Sequence, residues 1–512
     1  MSLPGLSSTN FLPAIFYQTV YAAGVPSAVI GNKKICLMGN CVSTSWAATN
    51  NFVDGYVYGP DQPAPFTIQT ENDVINAFGA GSELHRGFKK CVASNGGASP
   101  IYLVPVKEST GTAASLAVTF TTSAAANGTV AIFIGDTQIQ APITSGDAVA
   151  TIATNVASTI NALANVPVTA SPSSGVVTLT AKQKGPRGNQ IRVALRIVGT
   201  SVSTTSSAQN FAYLASGATA DSWTNALATI NPLKFDYIVP AAEDATSSTS
   251  LGGVATQIEN NVLPLVGIEQ RFITAHTGTE GTAATFVQSL DTPVGDCVWE
   301  QNSNYTRFEL AAYTAGMVAL GESASVPQLN WDNMGASPTS QAQWQLLAPF
   351  DGTVQTQATL VAALQAGLSP VNALAGGRSS LISLITTYCL NGSNPDYRVR
   401  DHATVTVMLV ASALVKAKLA AQFSNKLIAD DPPKGAKPPT SGVVTPSDIA
   451  AAVGQVFSGM YANGLIQDLP GALTSINVAR EPGRTDRVDI SYALRPISLL
   501  HQFAVQSSQL TP

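Results

Sequence analysis

Charge is the scarcest property of this sequence. Of its 512 residues only 11% are Asp, Glu, Lys or Arg, where soluble domains carry roughly 25%. The apolar share of 45% is ordinary, so Ala, Ser, Thr, Gly and Asn stand where charges are missing. Hydration and charge repulsion keep monomers apart in solution. A surface poor in charge suits permanent burial in an assembly, or a low-charge adhesin. The net charge is −5 and no basic cluster occurs, which removes the electrostatic basis for nucleic-acid binding. Long apolar runs are also missing. The longest, residues 403–415, falls short of the about 20 residues that span a bilayer. The opening MSLPGLSSTNFLPAIF puts no Lys or Arg before its apolar part, unlike a secretory signal. Cysteine is sparse. Cys36, Cys41, Cys91, Cys297 and Cys389 are odd in number, scattered and free of any CxxC pair, as expected of reduced, buried thiols in a cytoplasmic product.

Catalytic spacing is lacking too. His85, His276, His402 and His501 lie far apart, and no HExxH or Gly-x-Ser-x-Gly occurs, so zinc-hydrolase and α/β-hydrolase readings lose their central residues. Gly79-Ala80-Gly81 has no third glycine at position 84 and follows a helix, where a dinucleotide loop follows a strand. Gly185-Pro186-Arg187-Gly188-Asn189 is followed by neither a lysine nor a helix, and reads as a turn. Asp291, Asp296 and His276 sit near strand ends, where structural roles outnumber catalytic ones. They support one enzymatic alternative, a hydrolase-like α/β protein acting near Asp296 and His276. No cofactor or metal is expected.

What is present is α/β alternation. Residues 68–106 read as helix, turn, helix, strand. Glu71, Asn72 and Asp73 suit a helix start, Ser82 and Glu83 open a second helix, and Asn95-Gly96-Gly97 stops it. The apolar run 101–106 suits a buried parallel strand, as does 34–38. Residues 107–212 are rich in Thr, Ser, Ala, Val and Gly. They predict strands at 117–121, 129–134, 138–143, 176–181 and 191–198 around a helix at 147–164. This is an inserted small α+β unit, bracketed by linkers at 108–115 and 199–207. Three helix–strand repeats follow, ending in strands 235–240, 270–276 and 296–299, and argue for a mostly parallel sheet with helices on its faces. Further helices are expected at 307–320, 359–366, 401–428 and 447–461, with an apolar strand at 381–388. The helix at 401–428 is apolar enough in its first half to be buried on most sides. Residues 430–442 read as a linker.

The two ends are β-prone. Residues 14–21 form one strand candidate with nothing local to pair with. Near the other end, 474–480 and 487–494 flank the turn Glu481-Pro482-Gly483-Arg484 as an antiparallel hairpin. Val488, Ile490, Tyr492 and Leu494 share one face. Residues 497–506 add a strand with no turn to fold it back. The expected organisation is an N-terminal arm (1–24), a core in two parts (25–106 and 213–429), the insert (107–212), a linker (430–446), a C-terminal domain with the hairpin (447–496) and a C-terminal arm (497–512).

Three stretches resemble one family. "AFGAGSELHRGFKKCVASNGG…IYLVPV" at 77–106 looks like the early core segment of contractile tail sheath proteins of bacteriophages, of the Mu-like kind. LISLITTY at 381–388, followed by Asp396-Tyr397-Arg398-Val399-Arg400-Asp401 and a long helix, is similar to that family's "ITTY…D" segment. Arg484-Thr485-Asp486-Arg487-Val488-Asp489 is similar to its C-terminal hairpin region. The insert occupies the place of a surface domain in many sheath proteins. The family's Ala-Arg-Pro-type segment is missing at 324–330. The resemblance implies a structural protein and no enzyme. Subunits would stack as hexameric rings around a tail tube, in contact with other copies of the chain, the tube protein, and the baseplate and tail terminator proteins. They would assemble in the bacterial cytoplasm and remain in the virion, without nucleic-acid contact or membrane insertion. It also implies strand exchange. Ile476, Val478, Val488, Ile490 and Tyr492 would form the receiving hairpin. Ala14, Phe16, Gln18 and Val20 would be donated from one end, and Ile497, Leu499, His501, Phe503 and Val505 from the other.

Overall fold

The computed structural model describes residues 33–42, 55–263, 266–324, 346–374, 377–433, 442–481, 483–484 and 486–497. The chain opens on β1 (Ile35–Gly39), α1 (Glu71–Phe78), α2 (Glu83–Asn95) and β2 (Ile101–Pro105). Both strands are wholly buried. Thr70 and Asp73 cap α1 reciprocally, Ser82 caps α2, and Gly96 ends α2 at φ +61. The polar residues around these apolar runs thus act as helix boundaries, as their chemistry predicts.

The next elements are β3 (Ala113–Thr119), β4 (Gly128–Ile134), β5 (Thr137–Ile143), α3 (Val149–Asn161), β6 (Val168–Ser173), β7 (Val176–Lys184), β8 (Arg192–Val198) and β9 (Ala212–Tyr213). They form two antiparallel sheets, β5-β4-β8-β9 and β3-β7-β6, around a core of their own that includes Val130, Ile132, Ile152, Val156 and Leu179. Residues 199–207 are not an exit linker. Thr121 N–H donates to Ser203 O (2.9 Å), and Phe120 bridges Thr204. The chain leaves this unit later, after Ala215 bridges back to Ser115. Small polar residues resemble a linker in composition, but here they supply the hydrogen bonds of an ordered edge.

The α/β alternation resumes with α4 (Thr224–Ile230), β10 (Tyr237–Pro240), α5 (Leu251–Val262), β11 (Arg271–His276), α6 (Glu280–Gln288), β12 (Gly295–Trp299), α7 (Arg307–Ala324), α8 (Gln357–Gln365), β13 (Ser369–Leu374) and β14 (Arg378–Leu381). One seven-stranded sheet results, in the order β14-β13-β12-β11-β10-β1-β2. Only β14 runs antiparallel. The fold is therefore mixed α/β with a parallel-rich sheet. Cys36 of β1 lies between Tyr102 and Ile238, so the first and second parts of the chain share one core. Helices α2 and α7 pack closely because glycines meet there. A Cβ on Gly87 would strike the Phe308 ring, and one on Gly316 would strike Ser94 Oγ and Cys91 O.

Residues 381–388 depart from expectation. The strand ends at Leu381, and the rest makes single bridges, Ile385 to Asp401 and Thr386 to Asp296. Its N–H groups find scattered partners instead: Thr387 N–H donates to Gly295 O (2.8 Å) and Ile385 N–H to Ser369 Oγ (2.9 Å). The strand next to β12 is β13, which apolar patterning missed because its sequence, SPVNAL, carries Pro370 and polar residues.

After the short pair β15 (Leu390–Asn391) and β16 (Asn394–Pro395) come α9 (His402–Phe423), β17 (Leu427–Ile428), β18 (Val443–Val444), α10 (Pro446–Ala462), α11 (Leu469–Ser475), β19 (Asn477–Arg480) and β20 (Val488–Ser491). Helix α9 stops short of 428, with Asn425 at φ +61 just beyond it. Its first turn and a half is buried on most sides, as expected, and beyond that the cover is partial. Val405, Val407, Ala411 and Val415 are covered, while Met408 is 39% exposed. The described ends of 430–442 are tied down: Leu427 N–H donates to Gly442 O (3.0 Å) and Ser447 N–H to Asp431 Oδ1 (3.0 Å), beside the parallel pairing of Leu427 and Ile428 with Val443 and Val444. Thr445, not Ser447, caps α10, through a reciprocal pair with Asp448.

Candidate intersubunit interface

The C-terminal hairpin rests on a third core. Val407, Ala411 and Val415 of α9 meet Val453, Phe457 and Met460 of α10, and Ile476, Ile490, Tyr492 and Leu494 pack against them. Inward and outward residues alternate along 490–494, so the apolar side of the ribbon lies on the helices. Tyr492 meets Phe457 edge-on, with ring centroids 5.0 Å apart at 69°. Burial raises the pKa of its phenol.

Strands β19 and β20 pair antiparallel, with Val478 opposite Ile490 and Arg480 opposite Val488. The turn closes through Arg484 N–H to Glu481 O (3.0 Å) and Glu481 N–H to Arg487 O (3.1 Å). The first strand is shorter than expected. Thr474 and Ser475 belong to α11, which Asp468 and Pro470 start, and Ile476 precedes β19. Tyr492 likewise lies beyond β20. Among the described residues the ribbon has two strands only. Each therefore presents one edge of main-chain donors and acceptors without a strand partner there. Arg480 Nη1 reaches Asp430 Oδ1 (2.7 Å), and Arg487 Nε reaches Asp489 Oδ1 (2.8 Å).

Beyond the hairpin the chain runs beside its own α10–α11 connection. Pro496 bridges Ile466, Gln467 N–H donates to Arg495 O (3.0 Å) and Ile497 N–H donates to Leu465 O (3.1 Å). The structure thus places Ile497 against its own subunit. Ala14, Phe16, Gln18 and Val20, and Leu499, His501, Phe503 and Val505, lie outside the described residues.

The comparison that bears on this arrangement is with a curated protein. Over 497 residues the chain is 22% identical to the "Mu-like prophage FluMu tail sheath protein" of Haemophilus influenzae, covering 96% of this chain and 94% of that one. This chain is a homologue of a Mu-like tail sheath protein. No family model matches the chain. Among solved structures, a sheath tail protein from Desulfitobacterium hafniense aligns with TM-score 0.43 and 13% identity, over 94% of this chain and 100% of that one. A sheath tail protein from Listeria innocua aligns with TM-score 0.46 and 11% identity, over 91% and 92%. At these scores the superpositions are loose.

The residues of the enzymatic alternative are not brought together in the fold. Asp296 pairs in register with Ile273, and His276 with Trp299, which separates them by about 10 Å along the strands. Asp296 is fully buried and bound to Arg271 and His402, each at 2.8 Å. His276 Nε2 faces Arg307 Nη2 at 2.8 Å. Burial and the Arg307 charge push its pKa down to about 3, so the ring is neutral. It borders a cavity of about 550 Å³ with Trp223, Glu243, Phe286 and Arg307. Burial pushes the Glu243 carboxyl up to about 7.

One structural residue escaped the sequence reading. Arg187 is 6% exposed and sits in a turn of 3-10 helix. Its guanidinium binds Asp221, approaches Glu83 at 3.3 Å and lies over the Trp223 ring. It holds the second unit to the main core. The only signal in the sequence was its glycine-flanked turn.

Proposed function

We propose that this chain is a structural subunit of a contractile phage tail sheath. The observation that carries the reading is similarity along nearly the whole of both chains. The hairpin supports the assembly step. Its apolar side is covered and its strand edges are open, which is the form that accepts an added strand from another chain. The ends 14–21 and 498–506 are the donated strands. Copies stack as hexameric rings around a tail tube, bounded by baseplate and terminator proteins, in the virion.

Contraction is a rigid-body step in this reading. Subunits rotate and move outward while the exchanged strands stay paired, and the contracted lattice gains contact area. A gain of a few kcal/mol per subunit is enough to switch a two-state element, and it sums over many copies. The low surface charge fits this, because close packing desolvates little charge.

The test is electron microscopy of the purified chain beside a form cut after Ile497. The cut keeps every contact between 465–467 and 495–497. Hollow tubes from the full chain and folded, non-polymerising protein from the cut form are expected. Normal tubes from the cut form would count against the exchange, and no tubes from either would count against the sheath role.

A further inference from the structure

A buried charge network lies where α9 enters the parallel sheet. His402 is the first residue of that helix. Its Nδ1 lies 2.8 Å from Asp296 Oδ2 on β12, and its Nε2 lies 3.1 Å from Glu322 Oε1 near the end of α7. The ring stacks on Tyr237 of β10, centroids 6.2 Å apart at 17°, with the phenol oxygen 3.4 Å from Nε2. His402, Asp296, Glu322 and Tyr237 are at most 2% exposed. Arg271 of β11 completes the site. It binds Asp296 Oδ1 through Nη2 (2.8 Å), and His402 O (2.8 Å) and Thr406 Oγ1 (3.0 Å) through Nη1. Lys33, ahead of β1, approaches Glu322 Oε2 at 3.5 Å and Asp236 Oδ1 at 3.7 Å. On the helix itself, Asp401 caps Ala403 N–H.

Neutral imidazole donates from one nitrogen only. Here both nitrogens face a carboxylate oxygen, so a neutral ring would set a lone pair against a buried anion. The count of charges agrees. Asp236, Asp296 and Glu322 are three anions, and Lys33 and Arg271 are two cations. An imidazolium is the third.

We propose that His402 is a buried imidazolium that locks α9, and with it the C-terminal hairpin unit, onto the parallel sheet, and that removing its proton loosens this joint. Helix α9 runs from the lock directly into the third core, where Val407, Ala411 and Val415 pack on α10. The joint therefore sets where the hairpin stands relative to the sheet. Burial, Arg271 and the positive end of the helix oppose the charge, but Asp296 and Glu322 outweigh them and the His402 pKa is raised above 6.5. Burial alone would raise Glu322, yet Lys33 and His402 hold it well below the carboxylate range. The signs follow. A raised His402 pKa gives stability that is fully present below about pH 6.5 and lost as pH rises through the folded value. A depressed Glu322 pKa gives stability present above about pH 4.5 and lost as pH falls through its folded value.

The four histidines make a direct test practical. Solid-state 15N spectra of the full chain, labelled at histidine only, read monomers and tubes alike, so the outcome is separate from the sheath reading. At about pH 6.5 one ring, assigned by its loss in His402→Gln, shows both nitrogens protonated, while His276 shows a neutral ring. If His402→Gln does not fold, Glu322→Gln assigns the same ring by shifting it. A neutral His402 at that pH overturns the proposal. In hydrogen exchange corrected for chemical rates, protection of α9 falls about tenfold relative to α2 for each unit of pH above the His402 pKa. Wild-type α9 that tracks α2 across that range also overturns it.

Discussion

Glycine at two positions decides how the main core closes. Gly316 faces Ser94 and Cys91, and Gly87 faces Phe308, in spaces no Cβ fits. Gly316→Val forces α7 off α2, and overpacking of this kind costs about 1–3 kcal/mol; a lower denaturation midpoint without loss of helix content by circular dichroism is the expected result. Arg187 acts by charge. Arg187→Ala leaves Glu83 and Asp221 buried without their cation, a loss of about 3–5 kcal/mol. Proteolysis is expected to release the unit formed by β3–β9 before the parallel core, and equal protease resistance of both would refute the clamp. Neither residue type announced its role. A helical glycine in the sequence reads as a small packing residue or a breaker, and an arginine in a turn reads as solvated. Their meaning depends on residues 34 to 225 positions away that share a contact. His402 was equally opaque, because its carboxylates lie 106 and 80 positions away.

At the scale of elements, local chemistry was a good guide wherever the element is closed by its own neighbours. The cap of α10 is one case. Thr445→Ala removes the reciprocal bond with Asp448 and costs about 1 kcal/mol, read as a lower unfolding midpoint of the hairpin unit with the main core unchanged. Helices α1, α5 and α6 follow from periodicity because each buries one apolar side, and strands β1, β2 and β10–β12, buried throughout, follow from short apolar runs. Hairpin β19–β20 follows from the turn between its strands. Elements that depend on a distant partner were misread. Residues 381–388 are apolar like a strand, but β13 already holds the edge of β12. Residues 474–475 are β-prone, but Asp468 and Pro470 draw them into α11. Helix α9 is enclosed at its start, as its apolar first half predicts, but beyond Val407 its cover is partial, because apolarity says a surface is covered without saying by what. Strand exchange at the chain ends belongs to this same scale, and the truncation after Ile497 tests it there.

Among the described residues, buried charges join the main apolar core to two others, in a chain otherwise short of charge. Arg187 joins the second core to the first, and the His402 network joins the third. Ion pairs hold orientation more strictly than apolar contact does. The five cysteines give this layout a readout. Cys36, Cys41, Cys91, Cys297 and Cys389 are all buried, and burial raises Cys389 to about 11 and Cys36, Cys91 and Cys297 higher still. All five belong to the parallel-sheet part; β3–β9 and the chain from α9 onward carry none. Alkylation by a maleimide is thus a clock that runs only while the sheet is open. If the joints are the weak points, a chain warmed until its circular dichroism has begun to change will still refuse the label, and the first thiol to react will mark the moment the sheet itself parts.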